Sequence, residues 1–204
     1  MNRRTTLALS GPDNVGKSRQ LRILARRCGP DLVVRAGALH DHDGRWKSIA
    51  AGGMASWWFK TSSPGELADV LASSYLARHE AAPGSGPLLL VDRGVPMLEA
   101  TLAATLATRQ CLDDQRAYDQ AMVLLRPYEA GLRSAEAQEF GVLLLHAEEV
   151  ADNARLSLAR EVRVSDVYGA YQGHLARQIA RLADAGRFAH TVDPVGHSRF
   201  RLRG

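Results

Sequence analysis

At 204 residues, with 46% hydrophobic and 24% charged side chains, the chain has the size and composition of a single globular domain, which excludes a disordered or fibrous protein. Its net charge of +4 is spread without basic runs, and no apolar stretch approaches the ~18 residues of a membrane span, so we expect neither a nucleic-acid nor a membrane partner. The two cysteines lack metal-binding spacing, and we predict a cytoplasmic protein.

The N-terminal part of the chain predicts a strand, a loop and a helix, in that order. Residues 5–10 form a β-prone, largely apolar run that ends at a glycine, and residues 11–18 are rich in glycine and polar side chains. Apolar residues then recur at helical spacing up to Cys28, where Gly29 and Pro30 end the pattern.

Four more strands are predicted farther along, separated by helical patterns. The strand candidates are residues 32–34, 87–91, 141–145 and 188–192, and the helical patterns cover residues 64–82, 97–108, 114–133 and 167–186. The polar stretch 39–47 is predicted as a loop, and Ser63 and Glu66 have the spacing of a helix capping box. Strands that alternate with helices predict an α/β fold with right-handed crossovers and a five-stranded parallel sheet that has helices on both faces.

The loop after the first strand carries the most specific motif in the sequence. Residues 11–18 are Gly-Pro-Asp-Asn-Val-Gly-Lys-Ser, which fits the phosphate-binding pattern GxxxxGK[ST] between a strand and a helix. In this pattern backbone N–H groups surround a nucleotide phosphate, the lysine neutralises phosphate oxygens, and the hydroxyl binds Mg²⁺ at the positive end of a helix. The residues predicted to bind the nucleotide are Gly11, Asn14, Val15, Gly16, Lys17 and Ser18.

A second candidate group lies at the end of the third predicted strand, where Asp92 and Arg93 follow a continuous apolar run. A carboxylate at the carboxyl end of a strand beside the phosphate-loop strand can hold Mg²⁺, and an adjacent arginine can bind a transferring or acceptor phosphate. A surface salt bridge is the alternative for such a pair. Beside a phosphate loop the functional interpretation is favoured, with Ser18 and Asp92 organising the metal.

These motifs resemble those of the thymidylate kinase and deoxynucleoside kinase group of P-loop kinases. Asp13 within the loop and the strand end 90–93 are similar to the thymidylate kinase forms. Other similar positions are Arg160 and Arg163 in an arginine lid at about residues 148–166, Tyr168 and Tyr171 on the next helix, and Pro194 against the adenine. The resemblance implies one P-loop NTPase domain, a three-layer sandwich with sheet order 2-3-1-4-5 and a mobile lid, that uses Mg-ATP and is often a homodimer.

The chain departs from these kinases where they bind the acceptor. Thymidylate kinases have Arg-Glu-Pro after the second strand, whereas residues 38–46 here are Ala-Leu-His-Asp-His-Asp-Gly-Arg-Trp. An alcohol acceptor benefits from a carboxylate that takes its proton. The candidates for this base are Asp41 and Asp43, with Asp13 and Asp92 as rivals. Trp46, Trp57, Trp58 and Phe59 either line an aromatic acceptor pocket or pack in the core.

We predict a phosphotransferase that moves the γ-phosphate of Mg-ATP to a small-molecule acceptor, with a nucleoside or nucleoside monophosphate as the favoured class. Lys17 would bind the β/γ phosphates, Asp13 would contact the acceptor, and Arg93 would stabilise the transferred charge together with the lid arginines. Two alternatives stay open. They are a kinase of a non-nucleotide or natural-product alcohol and a regulatory nucleotide-binding ATPase without a small acceptor.

Overall fold

The computed structural model describes residues 5–13, 15–81, 86–145, 166–192 and 198–199. Within these ranges six strands form one sheet: β1 Thr5–Ser10, β2 Val33–Arg35, β3 Leu88–Asp92, β4 Glu139–Leu144, β5 His190–Val192 and β6 Ser198–Arg199. Their order is β2-β3-β1-β4-β5-β6, with the first five strands parallel and β6 antiparallel to β5. The predicted order 2-3-1-4-5 is confirmed, and β6 is an addition that the sequence pattern did not predict.

Helices cover both faces of this sheet. The described helices are α1 Lys17–Cys28, α2 Arg45–Gly52, α3 Met54–Ser56, α4 Pro64–Glu80, α5 Val95–Gln110, α6 Asp114–Leu125, α7 Glu129–Glu136 and α8 Asp166–Asp184. Leu21 of α1 packs with Leu9 and Leu90 on one face, whereas α5 and α8 pack with Leu143 on the other. The two faces are both apolar because successive side chains of a strand point to opposite sides.

The helix α5 is central to its layer. Its residues from Val95 to Ala107 are all buried, because α6 and α8 flank it. The amino end of α5 directly follows β3, so the same short connection sets the position of the helix and of the predicted Asp92–Arg93 pair. None of the helices in the described ranges has the length and apolarity to cross a membrane.

Two predicted helices show how local chemistry sets their limits. The Ser63 hydroxyl accepts a hydrogen bond from the N–H of Glu66 at 3.0 Å, and the Glu66 carboxylate accepts one from the N–H of Ser63 at 3.4 Å, so the predicted capping box begins α4. The prediction of one helix over residues 114–133 is wrong. A 3-10 helix at Arg126–Tyr128 separates α6 from α7, because Pro127 has no N–H for a continuous helix.

The segment before α4 is more ordered than a polar loop. A 3-10 helix occupies Leu39–Asp41, α2 begins at Arg45, and a π-helix at Trp57–Thr61 continues α3. The prediction of a loop over residues 39–47 is therefore wrong in part. The physical reason is Trp46, which is 5% exposed and packs in the main core cluster, so that burial of its indole fixes the chain around it.

Candidate active site

The phosphate loop joins β1 to α1 and bends at two glycines with a left-handed backbone. Gly11 has a φ of +140° and Gly16 a φ of +90°, in the region that residues with a Cβ rarely adopt. Gly11 is also tightly packed, since a Cβ at this position would overlap the backbone oxygen of Leu144. Val15 is half-buried, and Asn14 lies outside the described residues.

Replacing Gly11 with alanine is expected to destabilise the protein by roughly 3 kcal/mol, because the overlap with Leu144 adds to the strain of a positive φ. Gly16→Ala is the matched control, since no atom lies within 4 Å of a Cβ there and only the backbone strain of about 1 kcal/mol applies. Urea unfolding of both variants measures the difference. Equal losses of stability would contradict the prediction.

The ammonium group of Lys17 is buried against the carbonyls of its own loop. Its Nζ donates to the backbone oxygens of Gly11 at 3.1 Å and Pro12 at 2.7 Å, and the residue is 6% exposed. Burial, together with the nearby Arg93, lowers the pKa of Lys17 to about 8, although two neighbouring carboxylates oppose the shift. Phosphate oxygens entering the loop would replace these carbonyls as hydrogen-bond acceptors.

Ser18 and Asp92 meet because β1 and β3 are neighbours, with Leu9 paired to Asp92. The Ser18 hydroxyl donates to Asp92 Oδ2 at 2.6 Å. Asp92 Oδ1 is buried and has no hydrogen-bond partner among the described residues. A hydroxyl beside a carboxylate with a spare buried oxygen fits Mg²⁺, a hard cation that takes oxygen ligands.

An ion pair joins Asp13 of the phosphate loop to Arg93, the residue after β3. Asp13 Oδ2 also accepts hydrogen bonds from Tyr168 at 2.9 Å and Gln172 at 2.8 Å, both on α8. Burial would raise the pKa of Asp13, but Arg93, Lys17 and the two α8 donors outweigh it and hold the pKa below its ordinary value. The ionised carboxylate therefore links the loop, the end of β3 and α8.

A buried arginine on α4 holds the turn after β3. Arg78 Nη1 and Nη2 donate to the backbone oxygens of Asp92 at 2.9 Å and Arg93 at 3.0 Å, and Arg78 is 2% exposed. Burial lowers the pKa of Arg78 to about 10, although Asp92 opposes the shift. The bonds help to hold Arg93 at a φ of +69°, a left-handed conformation that costs a non-glycine residue roughly 1–2 kcal/mol.

The role of Arg78 is not evident from the sequence. Its only local signal is helical spacing: Leu71, Tyr75 and Arg78 fall on one face of α4, and all three are buried. An arginine on the apolar face of a helix indicates that its guanidinium is buried and donates hydrogen bonds to a buried acceptor. The spacing does not tell which partner, because the carbonyls of Asp92 and Arg93 belong to a distant strand end.

A buried glutamate contacts the residues that follow the same turn. Glu139, at the start of β4, accepts hydrogen bonds from the N–H of Val95 at 3.1 Å and from the Tyr75 hydroxyl, and it lies 3.3 Å from His79 Nε2. Burial raises the pKa of Glu139 to about 7 despite the bond from Val95. Burial and the adjacent Arg78 lower the pKa of His79 to about 4.

These two shifts have opposite effects on stability between pH 4.5 and 6.5, the ordinary pKa values of the two groups. The raised pKa of Glu139 makes the free energy of unfolding fall with pH, whereas the lowered pKa of His79 makes it rise. In Glu139→Gln only the effect of His79 remains, so the free energy of unfolding is expected to rise with pH by about 1 kcal/mol per unit. In His79→Gln only the effect of Glu139 remains, so the free energy of unfolding is expected to fall by a similar amount. Urea unfolding across this range checks both variants, and slopes equal to that of the wild type would contradict the prediction.

A cavity of about 500 Å³ opens beside the phosphate loop. The aromatic residues in its wall are Trp46, Trp58, Phe59, Tyr75, Tyr168 and Tyr171. Three of the four aromatic residues predicted from the sequence thus line a pocket. The exception is Trp57, which lies edge-on to the other two tryptophans and donates its indole N–H to Glu66 at 3.0 Å.

Of the four candidate bases, Asp13 and Asp92 lie in the cavity wall, together with Arg78 and Arg93. The other two carboxylates accept hydrogen bonds from residues close to them in the chain. Asp43 accepts hydrogen bonds from Arg45, two residues away, and Asp41 accepts one from the N–H of Ala38 at 2.9 Å. Neither lines the cavity.

No protein-family model matches the sequence, and no curated protein matches it. Solved structures do match, and thymidylate kinase from Candida albicans is similar with a TM-score of 0.59 at 13% identity, over 94% of this chain and 84% of that one. The chain has the fold of the thymidylate kinase-like P-loop kinases. A NadR protein solved in complex with NR is also similar, with a TM-score of 0.53 at 13% identity, over 98% of this chain and 48% of that one. This chain therefore spans about half of that NadR chain.

Within this P-loop kinase fold, the described residues of the predicted site come together around the end of β3. They are Gly11, Asp13, Val15, Gly16, Lys17, Ser18, Asp92 and Arg93. Asn14, Arg160, Arg163 and Pro194 lie outside the described residues, as does the predicted lid at 148–166 except Asp166, which begins α8. The roles of these outlying residues stay predictions.

Proposed function

We propose that this protein transfers the γ-phosphoryl group of ATP, bound with Mg²⁺, to a small acceptor in the cavity beside the phosphate loop, with nucleosides and nucleoside monophosphates as the first candidates. One observation supports this proposal above the others. The wall of the cavity includes three residues that also belong to the proposed phosphate site, namely Asp13, Asp92 and Arg93. A molecule in the cavity would therefore lie next to the phosphates of a bound nucleotide.

The donor side rests on the phosphate loop. Its backbone and Lys17 would hold the β/γ phosphates, and Ser18 with Asp92 would hold Mg²⁺. The metal would supply neutralisation of charge on the phosphates. Arg160 and Arg163 remain the proposed lid arginines over the transferred group, and Pro194 the proposed contact with the adenine.

The acceptor side requires positioning and exclusion of water. Phosphoryl transfer places little covalent chemistry on the protein, so holding the acceptor oxygen in line with the leaving group supplies much of the acceleration. The aromatic wall excludes water from one side, and Arg93 is placed to stabilise charge on the transferred group. Its ion pair with Asp13 fixes the guanidinium in that position.

The test is the release of ADP from Mg-ATP by the purified chain, with and without a panel of nucleosides, nucleoside monophosphates and other small alcohols. Stimulation by an acceptor, with a phosphorylated product detected by mass spectrometry, supports the phosphotransferase function. Slow ATP hydrolysis that no small molecule changes would contradict it and would support the regulatory ATPase instead. The same sample, measured by sedimentation, tests the proposed homodimer.

A further inference from the structure

Aromatic side chains make up much of the wall of the cavity beside the phosphate loop. The indoles of Trp46 and Trp58 stack with their centroids 6.3 Å apart and 25° between their planes. Their N–H groups donate to the hydroxyls of Ser74 at 2.8 Å and Thr105 at 2.9 Å. Because neighbouring helices satisfy the polar atom of each indole, the surface that these rings contribute to the cavity is apolar.

The charged groups in the same wall balance one another. Arg93 is paired with the carboxylate of Asp13, and Arg78 donates to two backbone oxygens of the turn after β3. Asp92 adds a second carboxylate, and His40 is an exposed residue of the wall. Among the residues that the structure describes, two guanidiniums thus accompany two carboxylates in the wall, and no lysine lines the cavity.

We infer that the acceptor is an uncharged molecule with a flat ring and a free hydroxyl group, rather than a phosphate monoester. This inference rests on the proposed phosphotransferase function and narrows its acceptor class. A phosphate monoester carries a charge of about −1.5 to −2 at neutral pH, and its burial requires charge-assisted hydrogen bonds from cations that are free to make them. Both guanidiniums of the wall already have acceptors, whereas a neutral hydroxyl can donate to a carboxylate.

The reaction balances with the groups already present. The acceptor hydroxyl oxygen forms a bond to the γ-phosphorus of ATP, the bond from that phosphorus to the β–γ bridging oxygen breaks, and ADP leaves with the electron pair. The hydroxyl proton passes to Asp13, because Asp92 would hold Mg²⁺, and then to water. The flat ring stacks on the indole of Trp58, which orients the hydroxyl toward the phosphate loop.

Matched compounds test the acceptor class, each pair being a nucleoside or another ring-bearing alcohol and its own phosphate monoester. With the full chain and Mg-ATP, we expect the alcohol of at least one pair to accelerate ADP release about tenfold more than its monoester and to gain one phosphoryl group. Acceleration by monoesters alone would overturn this inference and leave the phosphotransferase function standing. If no compound accelerates ADP release while ATP still binds, both proposals fail.

Binding has a separate readout in fluorescence, since all three tryptophans of the chain belong to one cluster at the cavity. The alcohols are expected to change the emission, and their monoesters to have no effect at the same concentration. Trp58→Ala should raise the KM of the alcohol about tenfold by removing a stacking surface. Trp57→Ala removes the neighbouring indole outside the cavity and is the matched control. Equal KM effects of the two variants would contradict the placement of the ring.

Discussion

Replacing Lys17 with alanine is expected to lower kcat/KM for ATP roughly a thousandfold, because a buried charge beside the phosphates acts in a medium of low dielectric constant. Its Nζ already points at the carbonyls of Gly11 and Pro12, where phosphate oxygens would enter. Lys47→Ala removes the same charge from an exposed position and is the matched control, with a change of less than about twofold. Steady-state kinetics measures both variants, and urea unfolding verifies that each is folded.

The same lysine makes the rate depend on pH. Burial and Arg93 lower the pKa of Lys17 to about 8, so the ammonium is charged below that pH and loses its proton as the pH rises through it. Since kcat/KM reports groups of the free enzyme, it should be constant well below pH 8, fall to half of that value near pH 8 and fall by about tenfold per unit at higher pH. Bound phosphates stabilise the ammonium, so kcat should fall only at higher pH. A kcat/KM profile that stays flat well above pH 8 would contradict this role.

The place and backbone shape of the loop at residues 11–18 could be predicted because its residues are contiguous in the chain. Gly11, Gly16, Lys17 and Ser18 belong to one stretch of backbone between a strand and a helix, so their relation to one another is set locally. The resemblance to thymidylate kinases implied the strand order, whereas the hydrophobic pattern predicted only a parallel sheet with helices on both faces. Buried apolar runs such as β3 alternate with helical patterns, and right-handed crossovers leave few arrangements of a parallel sheet.

The groups that support the site could not be predicted, because they act across long distances in sequence. Arg78 reaches the turn after β3 from α4, and Glu139 reaches the N–H of Val95 from the start of β4. Gln172 joins Tyr168 at Asp13 from the far end of the chain. Each contact depends on how a helix or strand is placed against another element, which hydrophobic periodicity does not encode.

The acceptor region shows a second limit of sequence patterns. Asp41 and Asp43 lie in a carboxylate-rich stretch, which suggested a catalytic base. Both carboxylates instead accept hydrogen bonds from residues two or three positions away in the chain. Short polar stretches satisfy their own backbone first, because the partners are already adjacent. Asp13 and Asp92 reach the cavity because they sit at the carboxyl ends of adjacent parallel strands, where the sheet itself forms the site.

Two variants of Arg93 are expected to lose activity alike and to differ in stability. Arg93→Ala and Arg93→Gly both remove the guanidinium that we propose stabilises the transferred phosphate, and each should lower kcat by about a hundredfold or more. In both, Asp13 keeps its hydrogen bonds from Tyr168 and Gln172, so the carboxylate retains partners. The backbone distinguishes the variants, because only glycine adopts a φ of +69° without strain.

Relief of that strain should make Arg93→Gly more stable to urea than Arg93→Ala by about 1 kcal/mol. The left-handed conformation costs alanine ~1–2 kcal/mol, and the greater freedom of glycine in the unfolded chain offsets part of this difference. Urea unfolding gives the stability difference, and ADP release with an acceptor gives kcat. If the two variants are equally stable, the turn relaxes without cost and the bonds from Arg78 hold no strain. If either variant keeps a kcat near that of the wild type, the guanidinium is not needed for phosphoryl transfer. The left-handed turn after β3 would then only help to position Asp92.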